Sequence, residues 1–207
     1  LLEAVGFRKS ACFFSARNDN AKEYILHRYG SLHVAEIPEG YAVRHFDMRR
    51  RNEELENLRD TFNDAFSTNW HYLPVSREEY GFSARFLRLV TEPELITIVE
   101  HCSRPVGVLM CVLDINPPLR RLHGKVGPIK YLRFINDKKK IKNLIVYAVG
   151  IRKSYQHTVV YKLLLDALLR TAIHFDTLET TWMSPSNLLA VKASERLGMK
   201  PDKHFAI

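Results

Sequence analysis

Cysteine is scarce in this chain of 207 residues, which contains only Cys12, Cys102 and Cys111. A sparse, odd number of cysteines argues against a disulfide framework and is typical of a reducing cytoplasm, where we expect this protein. Cys102 and Cys111 stand in apolar stretches, the usual setting of small core residues. No spacing of Cys and His matches a zinc site, so no metal is expected.

Long apolar runs are also absent. The longest runs, residues 106–113 and 144–151, are far below the roughly 18–20 residues that a membrane-spanning helix needs. No cationic and then apolar leader opens the chain, and we expect no membrane partner. The chain begins LLEAVGF without a Met, so we expect it to be a fragment of a longer protein.

Acidic residues are almost missing from one segment. Between Pro118 and Lys140 stand eight Lys and Arg residues and a single acid, Asp137, so this segment carries +7 of the net charge of +8. Such a segment raises the local concentration of anions. It is either a solvated basic loop or a contact for a phosphorylated cofactor, an acidic substrate or nucleic acid.

Hydrophobic periodicity and turn residues predict an α/β fold with a mixed sheet. Helices are expected at 18–30, 51–70, 76–90, 157–174 and 186–198. Ser76 and Glu79 predict a capping box at the start of the third of these helices, and the helix at 157–174 is expected to be a crossover between strands. Strands are expected before residue 16 and at 41–48, 94–102, 105–116, 141–151, 178–184 and 203–207. The turn between the strands at 94–102 and 105–116 is placed at Ser103-Arg104. The apolar run at 141–151 predicts a strand buried on both faces. Pro38 and Gly40 mark 31–40 as a linker, which divides the chain into 1–40 and 41–207.

Glycine is missing from the turn that follows the strand at 141–151. The stretch IRKSYQHTVVYKLLL (151–165) contains none after Gly150. A strand that turns sharply into a helix often holds a phosphate, because the helix N-terminus presents free N–H groups and a partial positive charge. Such turns usually carry glycines. The stretch is therefore either a phosphate turn that has lost its glycines or was never one.

Three stretches together resemble the GNAT N-acetyltransferase superfamily. In 151–165, Gln156 falls on the residue that opens a Q/R-x-x-G-x-G/A pattern, with Val159 and Tyr161 at the small positions. SNLLAVKASERLGMK (186–200) is similar to the N-x-x-A…E-x-x-G-F stretch, and RPVGVLMCVLDIN (104–116) to a hairpin strand with PVG. The resemblance implies a GNAT-like acyl-CoA N-acyltransferase fold over 41–207.

Within that superfamily the chain is similar to a bacterial group of larger, two-part proteins that share Asn69-Trp70 and the pair Asp114 and Asn116. The start LLEAVGF also resembles SERLGM (194–199). We therefore expect 1–40 to be the tail of a preceding GNAT-like half plus a linker helix. A chance match between two helix ends is the alternative.

The resemblance implies a site for acetyl-CoA as co-substrate, built largely from backbone. The pantetheine arm would pair with the strand at 149–151, and the diphosphate would lie on the helix N-terminus at 157–161. The residues implied to bind the cofactor are Val149, Gly150, Ile151, Gln156, His157, Thr158, Val159, Val160, Tyr161 and Asn187.

Direct transfer to an amine needs a base or water chain, a donor to the thioester carbonyl and an acid for the leaving thiolate. Many relatives place a Tyr as that acid where this chain has Ser194, a poor acid, so Tyr147 is a possible substitute unless it is a core residue. Asp114 with Asn116 is the preferred base, unless Asp114 caps a turn; Glu100 and Glu179 are further candidates. Trp70 and Trp182 are expected as walls of a substrate pocket or of the core.

These observations predict an acyl-CoA-dependent N-acyltransferase, in particular an acetyltransferase, acting on a small-molecule or peptide amine. Two alternatives stay open. One is a tandem GNAT-type transferase that uses aminoacyl-tRNA, with nucleic acid bound through 118–140, which is not the favoured partner. The other is a degenerate binding domain without catalysis, as Val159, Tyr161 and Ser194 suggest.

Overall fold

The computed structural model describes residues 5–6, 8–30, 36–69, 71–124 and 127–207, without the side chains of residues 87–89. Its strands are β1 (Cys12–Asn18), β2 (Tyr41–His45), β3 (Ile96–His101), β4 (Arg104–Leu113), β5 (Asn143–Ile151), β6 (Thr177–Thr180) and β7 (Lys200–Ala206). Its helices are α1 (Ala21–Tyr29), α2 (Arg51–Phe66), α3 (Arg77–Val90), α4 (Asn116–Arg120), α5 (Pro128–Lys138), α6 (Val159–Ala172) and α7 (Leu188–Arg196). The α/β fold with a mixed sheet is confirmed.

The strands form one seven-stranded sheet in the order β2-β3-β4-β5-β6-β1-β7. Only β5 and β6 pair in parallel, and the other described pairs are antiparallel. Helix α6 is the crossover between the two parallel strands, as the sequence predicted. β1 lies between β6 and β7, and α1 buries Ala21 and Ile25 in the main core. Residues from 1–40 thus contribute to the same sheet and core as 41–207, while the origin of 1–40 stays a prediction.

Each face of the sheet has its own apolar cluster. Alternate residues of β3 and β4 point to opposite faces, so Val99 and Leu109 join the α6 side, and Ile98 and Val108 join the α2 side. On the first face α6 packs Val160, Leu163, Leu164 and Leu168. On the second face α2 packs Leu58 and Phe62.

Helix starts follow the local sequence signals. At α3, Glu79 N–H donates to Ser76 Oγ at 3.2 Å, and Ser76 N–H donates to the Glu79 carboxylate at 3.0 Å. This is the capping box that the sequence predicted. The hydrogen bonds from the backbone and side chain of Ser76 lower the pKa of Glu79, because they favour its charged form.

Several boundaries differ from the sequence prediction. The β3–β4 turn falls at Cys102 and Ser103, which both have positive φ, and not at Ser103-Arg104. β6 ends at Thr180, before Trp182, and β7 begins at Lys200 instead of 203. The basic segment is not a plain loop, because it forms α4 and α5, each with proline in its first turn.

β5 is not buried on both faces. Leu144 and Val146 are buried, but the side chain of Tyr147 is 46% exposed and that of Val149 is 41% exposed. The sequence did not distinguish the buried first half of β5 from its exposed second half, because hydrophobicity alone does not show which neighbours cover a strand. The exposed half of β5 is the part that positions the candidate site.

Candidate cofactor site

The site begins where β5 continues past its parallel neighbour. Residues 143–146 of β5 pair with 177–180 of β6, and β6 ends there. On its other side β5 stays paired with β4 as far as Ile151, opposite Gly107. The stretch from Tyr147 to Ile151 therefore has one edge in the sheet and one edge beyond the end of β6.

Backbone alternation decides which groups face that open edge. Arg152 N–H donates to Val106 O on β4 at 2.9 Å. Because successive residues direct their backbone groups to opposite sides, Gly150 also faces β4, whereas Val149 and Ile151 face the open edge. The carbonyl of Ile151 accepts a long bond from Gln156 Nε2 at 3.4 Å, and that of Tyr147 accepts from Thr181 Oγ1 at 2.9 Å. Val149 is left between them, with its N–H and C=O directed outward.

The turn after β5 keeps its shape without glycine. Arg152 Nε donates to Pro105 O at 2.7 Å, and Lys153 N–H donates to Asp64 Oδ2 on α2 at 2.7 Å. His157 takes the left-handed φ of 65° that glycine usually supplies. These contacts tie the turn to β4 and α2, so the chain enters α6 at a fixed point.

The N-terminus of α6 begins two residues later than the sequence predicted. Thr158 is the N-cap, and its Oγ1 accepts from Val160 N–H at 3.4 Å. The N–H groups of the first helical turn have no partner within a helix, which leaves those of Val159 and Tyr161 for a ligand. The Val159 side chain is partly buried and packs against the main core.

Two glycines set how closely helices approach the site. A Cβ on Gly107 would lie 2.4 Å from Val160 Cγ1, and a Cβ on Gly150 would lie 2.7 Å from Phe62 Cδ1. Gly107 therefore lets the first turn of α6 contact β4. Gly150 lets α2 contact β5, so its structural role is packing, while its backbone groups belong to the β4 ladder.

Tyrosines gather on the α2 side of the open edge. Tyr147 on β5 is half exposed, so it is not the core residue that was its alternative role. Burial raises the pKa of Tyr80 on α3 strongly, and the nearby phenols of Tyr147 and Tyr72 raise it further. Tyr72 Oη donates to Asn63 Oδ1 at 2.7 Å. Of the three phenols, that of Tyr147 is therefore the one that stands at the open edge itself.

Ser194, Asp114 and Asn116 take part in local hydrogen bonds, and their catalytic roles stay a prediction. Ser194 is buried, and its Oγ donates to Val191 O inside α7. Asp114 accepts from Asn116 N–H and Nδ2 and from Asn143 Nδ2, at the start of β5. At about 3.3 Å per residue this cap lies about 13 Å along the strand from Tyr147. Asp114 thus makes the turn-capping contacts that the sequence left as its alternative role.

The remaining predicted residues lie around the edge of the site or elsewhere. Trp182 follows β6, is exposed, and packs edge-on against Phe13 with ring centroids 4.7 Å apart. Asn187 caps α7 by accepting from Ala190 N–H at 3.2 Å. Trp70 lies outside the described residues, so its pocket role stays a prediction.

The other candidate bases are engaged in ion pairs. Glu100 pairs with Arg44, and Glu179 pairs with Arg17 and Lys203. Sequence reasoning missed Asp64 and Thr181, which hold the turn and the end of the open edge. Neither residue carries a local sequence signal, because each acts across elements distant in the chain. Among the residues that the structure describes, no group of three or more His, Cys, Asp or Glu could hold a metal ion.

No family model matches the chain. It is 23% identical over 170 residues to a protein of Caulobacter vibrioides named bacterial ceramide synthase, covering 78% of this chain and 44% of the relative. It is 25% identical over 173 residues to protein YghO of Escherichia coli, covering 80% of this chain and 44% of that protein. The chain therefore matches less than half the length of either curated relative.

Solved structures match over nearly the whole chain. A GCN5-related N-acetyltransferase from Sphaerobacter thermophilus has a TM-score of 0.61 at 14% identity, covering 99% of this chain and 53% of its own. A tandem GNAT protein from the clavulanic acid biosynthesis pathway has a TM-score of 0.58 at 12% identity, covering 99% of this chain and 55% of its own. The fold of this chain is thus that of the GNAT N-acetyltransferases.

Proposed function

We propose that this chain is an acyl-CoA-dependent N-acyltransferase that moves an acyl group directly to an amine. The observation that carries the proposal is the open edge of β5, which leads straight into a turn and a helix N-terminus. An extended arm with two amides can add to such an edge as a further strand. In this proposal the N–H and C=O of Val149 pair with the pantetheine arm of CoA.

The diphosphate of CoA would lie at the start of α6. Anions bind at helix N-termini because free N–H groups and the helix dipole both favour negative charge. Arg152 and Lys153 stand in the preceding turn and add positive charge there. The order of the parts along the chain, edge then turn then helix, matches the order of the arm and the diphosphate in CoA.

Tyr147 is the proposed proton donor. The lone pair of the amine attacks the thioester carbonyl carbon, the C–S bond breaks, and the leaving thiolate takes the phenolic proton. The amine nitrogen loses its extra proton to water, and the phenolate recovers a proton from solvent. Water is assigned as the acceptor because Glu100 and Glu179 are held in ion pairs.

The acyl group of the first proposal is acetyl. The name of the Caulobacter relative supports a second candidate, since a ceramide is a long-chain amine that carries an acyl group on its nitrogen. The chemistry at Val149 and Tyr147 is the same in both cases. Only the acyl chain and the acceptor differ, so a panel of acyl-CoAs and amines separates the two.

Calorimetric titration with acetyl-CoA and with a long-chain acyl-CoA tests the proposal. Val149→Pro removes the outward N–H but leaves the β4 ladder intact, because proline is tolerated where a strand edge has no partner. We expect Val149→Pro to weaken binding at least tenfold and Val149→Ala to bind like the parent. Equal binding by the proline variant, or no binding by the parent, would refute the proposed site.

Turnover is tested separately by chromatographic detection of free CoA with a panel of amines. We expect Tyr147→Phe to lower the rate constant at saturation at least tenfold while binding is kept. Binding without turnover of any amine by the parent would support the degenerate-domain alternative instead.

A further inference from the structure

The basic segment forms a compact helical hairpin on one end of the sheet. We define the basic hairpin as residues 116–124 and 127–140, which contain α4, the following turn and α5. Lys130 Nζ donates to Leu122 O at 3.2 Å, and Arg121 pairs with Asp137 at 3.2 Å. These contacts hold the C-terminal end of α4 and the turn that follows it against α5.

One face of α5 is apolar but exposed. Phe134 and Lys138 are one turn apart and form its buried face, where Lys138 pairs with Glu92 at 2.6 Å. Ile129 and Leu132 are also neighbours on the helix surface, and their side chains are 84% and 69% exposed. Exposed apolar side chains that lie together and are bordered by polar residues often mark an interaction surface.

Cations surround this apolar face. Five cationic side chains of the basic hairpin are exposed, namely Arg120, Arg121, Arg133, Lys139 and Lys140. Arg133 stands one turn from Ile129 on the same helix. The one acid of the segment, Asp137, is already paired with Arg121. Exposed aliphatic groups on a segment with a large excess of Lys and Arg over acids are the pattern of a surface that lies in the interface of an anionic membrane.

We infer that the basic hairpin docks this protein on the surface of an anionic lipid bilayer. Ile129 and Leu132 enter the headgroup region, and the surrounding Arg and Lys contact lipid phosphates. Nucleic acid would use the cations but gains nothing from two exposed aliphatic side chains, so the bilayer fits both halves of the surface. The lack of long apolar runs bears only on spanning helices, and in the described part of the chain no helix is long and apolar enough to span.

The position of the basic hairpin agrees with docking. β4 runs into α4, and α5 runs into β5, so the hairpin lies at the start of β5. The turn after β5 lies at the other end of this nine-residue strand, about 30 Å away at the usual strand rise. A bilayer at the hairpin therefore leaves the candidate cofactor site open to solvent.

Flotation of the full chain with vesicles, without CoA, tests the docking independently of the proposed activity. The vesicles are phosphatidylcholine alone, or an equal mixture with phosphatidylglycerol. We expect binding only to the mixture, weakened by salt. Ile129→Ser with Leu132→Ser should reduce binding at least tenfold, whereas the exposed Leu26→Ser on α1 should not change it.

The contribution of charge to vesicle binding is tested by two double variants that each remove two positive charges. Lys139→Gln with Lys140→Gln should reduce binding to the mixed vesicles about 25-fold, about fivefold for each cation. Lys22→Gln with Arg28→Gln removes the same charge from α1 and should have a much smaller effect. The inference would be overturned if both charge variants lost vesicle binding equally or if the parent did not bind. It would also be overturned if the Ile129→Ser, Leu132→Ser variant bound like the parent. Tighter binding to a single-stranded RNA than to vesicles would overturn it too.

Discussion

Gly107→Ala is expected to destabilise the fold and to displace the diphosphate end of the candidate site. The new methyl group would lie 2.4 Å from Val160 Cγ1 and 3.2 Å from Leu164 Cδ1, where carbon atoms normally keep about 3.5–4 Å. Val160 is fully buried, and a β-branched side chain in a helix has one strongly preferred rotamer. The first turn of α6 must therefore move away from β4 by about 1 Å.

The cost follows from overpacking. Inserting a methyl group into a filled core costs about 1–3 kcal/mol, partly offset by about 0.4–1 kcal/mol because alanine restricts the unfolded chain. Gly81→Ala is the matched control, since its Cβ meets nothing within 4 Å inside α3. That substitution should stabilise by about 0.5–1 kcal/mol. The two free energies of unfolding should differ by roughly 1–3 kcal/mol.

Urea denaturation of the three proteins measures this difference, and titration with acetyl-CoA measures the effect on the site. Gly107→Ala should bind CoA more weakly in conditions where it is fully folded, because the N–H groups of α6 have moved. Gly81→Ala should bind like the parent. If Gly107→Ala gains stability as much as Gly81→Ala does, the close contact between β4 and α6 is refuted.

Three further outcomes are expected. Val159→Gly should lose about 1–2 kcal/mol of stability without tightening CoA binding, because the valine packs inward; tighter binding by calorimetry would instead show crowding at the helix end. Arg44→Leu should lose about 3 kcal/mol, because fully buried Glu54 keeps only a longer contact with Arg50; thermal melts showing a loss below ~1 kcal/mol would contradict this. Burial raises the pKa of the Cys111 thiol to about 12, so Ellman's reagent at mildly alkaline pH should label the two exposed cysteines of the folded chain and Cys111 only in urea. Labelling of all three in the folded chain would contradict its burial.

The elements that could be predicted from sequence are those fixed by local signals. The apolar period of α2 and α6 identified both helices, because a helix buries one stripe of its surface. The Ser76–Glu79 pair located the start of α3, since both hydrogen bonds join residues three apart. The resemblance carried by Gln156 and the stretch at 186–200 led to the GNAT fold, which the solved structures confirm.

The open edge of β5 has no local signal of this kind, and only the resemblance implied that 149–151 would pair with the pantetheine arm. The open edge depends on where β6 ends, and α6 separates β6 from β5 along the chain. The apolar side chains of Tyr147 and Val149 suggested burial, but exposure is decided by the neighbouring strand. The position of Ser194 matched a motif, but the sequence did not show that its hydroxyl donates to Val191 O inside α7.

The glycine-free turn shows why a backbone site leaves few marks on a sequence. The turn at 152–158 needs one left-handed residue, a fixed entry to α6 and free N–H groups. His157 supplies the left-handed φ, and Asp64 fixes the entry by accepting from Lys153 N–H. The first turn of α6, which begins after the N-cap Thr158, supplies the free N–H groups. Any side chain at Val149 that is compatible with a strand keeps the outward N–H and C=O. The site therefore constrains the type of residue at such positions only weakly. Proline deletes the N–H, so it perturbs the site more than any other substitution there.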